Sequence, residues 1–67
     1  LELKLLTVKK SGKYRVEVWN IRNVAKSNLK LSEKLFYDIG QIVAIALEER
    51  NLNPNQETKM FRVLSNV

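Results

Sequence analysis

Apolar and polar residues nearly alternate along the first third of the chain, and a denser apolar run follows in the middle. Residues 1–9 and 13–21 fit two β-strands, the second with the clearer period of two through Tyr14-Arg15-Val16-Glu17-Val18-Trp19-Asn20-Ile21. Ser11-Gly12 lies between them and supplies a residue that tolerates positive φ, so an antiparallel hairpin over 1–21 is expected. With Ser11-Gly12 as a two-residue loop, Thr7 faces Val16, Leu5 faces Val18 and Leu3 faces Asn20. Lys4 then shares a face with Arg15 and Trp19. A three-residue loop with a bulge at Gly12 shifts the pairing by one residue, and leucines on both faces of the first strand leave both registers open.

Residues 22–31 form a connector in which Val24 to Leu31 suits a short third strand or an extended segment. A long helix over 32–51 is predicted next. Ser32 suits an N-cap, and Glu33 places a carboxylate in the first turn. Leu35, Ile39, Ile42 and Ala46, flanked by Phe36, Val43 and Leu47, span an arc of about 140° at helical spacing. Ile45 falls among the polar positions opposite, and Gly40 and Ala44 form a small-residue strip, so Gly40, Ala44 and Ile45 are the candidate interface residues. Asn51 to Asn55 ends this helix. Asn53 and Pro54 can cap and start a second one over 54–65, where Met60, Val63 and Leu64 recur at helical spacing, a strand from Lys59 to Leu64 being the competing reading. The expected fold class is therefore α+β: an N-terminal antiparallel hairpin, with room for a third short strand, packed on a long amphipathic helix and followed by a short C-terminal helix.

Length limits what such a fold can bury. A 67-residue chain makes one small domain that removes only about 60% of its unfolded surface from water. With no Cys and no His, neither a disulfide framework nor a conventional zinc site can supplement the core, while 45% of the residues are apolar. Self-association through the helix is the expected supplement, giving a homo-oligomer, most simply a dimer. The longest apolar run, Ile42 to Leu47, is too short to cross a bilayer, and no basic leader with an apolar stretch is visible. A soluble, intracellular, cytoplasmic protein without a membrane partner is the expectation.

Catalysis lacks its usual parts. General acid–base work would fall to carboxylates, Lys or Tyr, and the adjacent Glu48 and Glu49 would point about 100° apart on a helix. Neither glycine belongs to a phosphate-cradling loop. No enzymatic activity and no cofactor are expected.

Charge supplies the functional hint. Residues 1–30 carry eight basic side chains against Glu2 and Glu17, a net of +6, whereas residues 31–67 carry four against five acids, a net of −1. Lys9, Lys10 and Lys13 crowd the hairpin tip, and Lys4, Arg15, Arg22 and Trp19 extend the basic side. A β-ribbon fits a major groove, lysine and arginine displace phosphate counterions, and Trp19 suits stacking on a base or a cation–π contact with Lys4. These seven residues are the candidate nucleic-acid-binding set of a small regulatory module. The same lysines also keep a turn soluble and deter edge-to-edge pairing, and Trp19 suits a core. The alternative function is protein–protein association or assembly with no nucleic-acid role, based on the apolar excess and the doubly apolar first strand.

Overall fold

The structure, a computed structural model, describes residues 1–37 and 42–65. Strand β1 (Glu2–Ser11) turns into β2 (Tyr14–Arg22), as the alternation predicts. The pairing is Ser11 with Tyr14, Lys9 with Val16, Thr7 with Val18, Leu5 with Trp19 and Leu3 with Ile21, with a bulge at Leu6. The loop is therefore Gly12-Lys13, not Ser11-Gly12. Gly12 has φ +57°, as a type II′ turn requires of its first central residue. Adding a Cβ there meets nothing within 4 Å, so Gly12→Ala tests conformation alone. It is expected to cost about 1–2 kcal/mol in chemical denaturation, and no loss would show that the loop adopts a different turn.

The remainder departs from the α+β expectation. Among the described residues there is no long helix at 32–51 and no C-terminal helix at 54–65. Ser32 does cap a helical turn, its Oγ accepting from the Lys34 amide at 3.3 Å, but that turn is a single 3₁₀ segment, Glu33–Phe36. Tyr37 then returns to extended backbone. The apolar run becomes β4 (Ile42–Leu47) and the C-terminal segment becomes β6 (Glu57–Ser65), with two-residue strands β3 (Leu29–Lys30) and β5 (Asn51–Leu52) between. Pro54 is a corner, not a helix start. Asn55 follows it at φ +67° and the Gln56 amide donates to the Asn53 carbonyl at 3.0 Å, the pattern of a type II turn.

The main sheet is antiparallel in the order β1-β2-β6-β4, and β3 pairs with β5 in a second, small sheet. Residues paired across strands share a face. The inner face carries Ile21, Met60, Leu64 and Leu47, and it is covered by Leu52 of the small sheet, Phe36 of the 3₁₀ turn and Leu31 in the link between β3 and that turn. Ile21 and Leu52 are fully buried. Asn23, also fully buried, clamps this cover to the sheet. Its amide nitrogen donates to the Ser27 and Leu52 carbonyls at 2.9 and 3.0 Å, and its Oδ1 accepts from the Ala25 amide at 2.9 Å. Both amide hydrogens and the carboxamide oxygen thus have a partner, as burial demands.

Candidate assembly interface

Three features of the inner face converge beside β1. The first is a buried charge network. Glu17, 6% exposed, lies between two guanidinium groups: Arg62 donates from Nε at 2.9 Å and brings a terminal nitrogen to 2.8 Å as an ion pair, and Arg15 Nε is 3.2 Å away as an ion pair without hydrogen-bond geometry. Trp19 Nε1 donates to the same carboxylate at 3.0 Å. The Arg62 guanidinium also lies 5.7 Å from the Trp19 ring centroid, within cation–π range, and donates to the Phe36 carbonyl at 3.2 Å. Burial pushes the Glu17 carboxyl up. Hydrogen bonds from Trp19 and Arg62, with the positive charges of Arg62 and Arg15, outweigh it and hold the group below its ordinary value.

The second feature is a cleft of about 310 Å³ lined by Leu3, Trp19, Leu35, Phe36, Met60 and Arg62. Arg62 lines it and, through the Phe36 carbonyl, ties down the 3₁₀ turn that carries Leu35. Leu35, one of the lining residues, is left 62% exposed.

The third is β1 itself. Among the described residues it pairs only with β2, which leaves its far side as a sheet edge, and all ten of its residues are exposed. Leu3, Leu5, Leu6 and Val8 are each 42–49% exposed. The other edge strand, β4, is shorter, with a bulge at Val43. Covering the four apolar residues of β1 would contribute on the order of 1 kcal/mol each.

The sequence-derived candidates separate on this framework. Arg15 and Trp19 face inward, held by Glu17. Lys4 pairs with Asn20 and so lies on the opposite face from Trp19; the cation over the indole is Arg62. Lys9 points to the outer face with Lys4, Lys10 to the inner face, and Lys13 stands in the turn. Arg22 donates to Asn55 Oδ1 at 3.4 Å. The seven residues therefore do not form one basic surface. Gly40 lies outside the described residues. Ala44 is exposed on the outer face of β4, and Ile45 packs against the core from the inner face, so the helical interface strip and the helix-mediated dimer have no helix to rest on. Ile45 looked misplaced only because it was counted at 100° per residue instead of 180°.

Sequence reasoning missed Arg62 and the cleft. The doubly apolar β1 was the available signal. Among the described residues, no helix is long and apolar enough to cross a membrane.

No curated protein matches the chain. No solved structure matches it either. A family model does, over residues 1–64, and the chain therefore belongs to the TraK C-terminal domain family.

Proposed function

We propose that this domain is a non-catalytic assembly module of a conjugation-related protein complex, joined to a partner protein along β1. The observation that carries this reading is a ten-residue edge strand, exposed throughout, with apolar side chains on it and an apolar cleft beneath it. An extended segment of a partner can add to such an edge. Main-chain hydrogen bonds supply affinity, and the cleft takes an apolar side chain for specificity. Lys4, Lys9 and Lys10 deter indiscriminate pairing of this edge and favour a partner strand that brings carboxylates.

The nucleic-acid-binding regulator is set aside. Its α+β scaffold is replaced by a nearly all-antiparallel-β fold, its stacking residue is occupied by Glu17 and Arg62, and the family points to assembly.

The test is a pair of charge substitutions on the strand. Leu3→Glu with Leu6→Glu is expected to lower conjugative transfer from a donor carrying the altered protein by roughly tenfold or more, the loss of over 1.4 kcal/mol at an interface. Thermal unfolding of the isolated domain should change little, because both side chains are already exposed. Normal transfer by a stably folded double variant would remove the proposal.

A further inference from the structure

Among the described residues, none covers the outer face of the sheet as the small sheet and 3₁₀ turn cover the inner face. Cross-strand pairing arranges it in rows. Glu2, Arg22 and Glu57 form one row, and Lys4, Asn20 and Lys59 the next. Beyond them Val18, Phe61 and Ala46 align, then Val16, Val63 and Ala44, with Tyr14 at the far end. An apolar band thus crosses three strands. Its valines are half-buried by their neighbours, while Phe61, Tyr14, Ala44 and Ala46 are exposed.

Cations border this band. Lys4 and Lys59 stand in one row on either side of Asn20, and Lys9 pairs with Val16 at the β1 margin. None of the three makes an ion pair among the described residues, in contrast to Arg15, Arg50 and Arg62. One strand, β2, lies between Lys4 and Lys59, so two interstrand spacings put them about 10 Å apart.

From this face we infer a second docking surface, specific for an acidic amphipathic segment of another protein. This goes beyond edge pairing at β1: the apolar band and Lys59 belong to this face alone, and only Lys4 and Lys9 at the β1 margin are shared with the edge. Charge selects the occupant. A second copy of this chain, at net +5, would bring like charges to the same lysines. A lipid surface is poorly matched, because most of the band is half-buried valine and small alanine, with Phe61 and Tyr14 as its two exposed aromatics and three separated lysines rather than a dense basic cluster. A flat apolar face is instead suited to a packed protein layer about 10 Å away, whose carboxylates meet Lys4, Lys9 and Lys59.

The experiment titrates the isotopically labelled domain with a synthetic helical peptide bearing an alanine–leucine stripe flanked by glutamates. The amide signals of Val16, Val18, Phe61 and Val63 are expected to shift. Lys4→Glu combined with Lys59→Glu should weaken binding by roughly tenfold, and so should replacing the peptide's glutamates with lysines. Phe61→Lys, at an exposed site, provides an independent variant and should also weaken binding. Equal binding of both peptides, no binding of the glutamate peptide at low salt, or shifts confined to β1 would overturn the inference. So would binding to anionic phospholipid vesicles without the peptide, or self-association abolished by Phe61→Lys. Shifts confined to β1 would leave edge pairing intact, and normal transfer by the Leu3/Leu6 variant would leave this face intact, so the two readings fail separately.

Discussion

Glu17→Ala is expected to destabilise the domain by about 3–5 kcal/mol, the range for removing one partner of a buried ion pair. The cause is what remains behind. Arg62 would keep a guanidinium with 12% side-chain exposure beside an indole N–H that has lost its acceptor. At roughly 0.05–0.15 kcal/mol per residue, a chain of 67 residues has about 3–10 kcal/mol of stability in all. The variant is therefore expected to be largely unfolded at 37 °C, a temperature chosen for the assay, and urea titration with circular dichroism measures it. A loss below about 1 kcal/mol would show that the network is incidental.

The same carboxylate predicts a pH dependence. Burial raises the Glu17 pKa, but the Trp19 and Arg62 hydrogen bonds and the two guanidinium charges bring it below the ordinary value of 4.5. A group with a depressed folded pKa binds fewer protons folded than unfolded, so its contribution is complete above the ordinary value. It is lost as pH falls from there through the lower folded value. Acidification below about pH 4.5 should accordingly weaken wild type more than Glu17→Gln. Parallel losses would place the acid-sensitive group elsewhere.

Leu52→Ala should rank beside it, at about 2–5 kcal/mol in the same titration. Leu52 is fully buried where the small sheet meets Ile21, Leu31 and Met60, and its carbonyl also accepts from Asn23. Truncation leaves a cavity that two short strands cannot collapse to fill. The informative comparison is Leu6→Ala on β1. Leu6 is 42% exposed and its loss should cost under about 1 kcal/mol. Equal costs for the two would mean that β1 serves the core rather than a partner.

Together these substitutions separate what holds the domain together from what it offers to others. Stability resides in the inner face and its cover, tied by Asn23 and by the Glu17–Arg62 pair. The proposed functions fall to surfaces that the described residues leave uncovered, the β1 edge and the outer band. Apolar residues at both would explain why a small chain devotes 45% of its sequence to them.

The hairpin, its turn glycine and the cap at Ser32 were legible in the residues themselves, because each depends on contacts within a few positions. Gly12 needs positive φ, Tyr14 to Ile21 alternate, and Ser32 Oγ reaches an amide two residues away. The register was not legible. Leucines on both faces of β1 fit either pairing equally, and the bulge at Leu6 combines features of both. Strands β4 and β6 were read as helices for a related reason. Both lie where two faces carry apolar residues, so Ile42 to Leu47 is an unbroken apolar run, and Met60, Phe61, Val63 and Leu64 coincide with helical spacing. Only the tertiary pairing of β6 between β2 and β4 decided them as strands, since a central strand satisfies its backbone through neighbours distant in sequence. That pairing also brings Arg62 to Glu17 across 45 residues, which turns Trp19 from a candidate stacking residue into the wall of a buried network. Local chemistry determined the turn and the cap; partners far along the chain determined which faces are closed and which edge stays open.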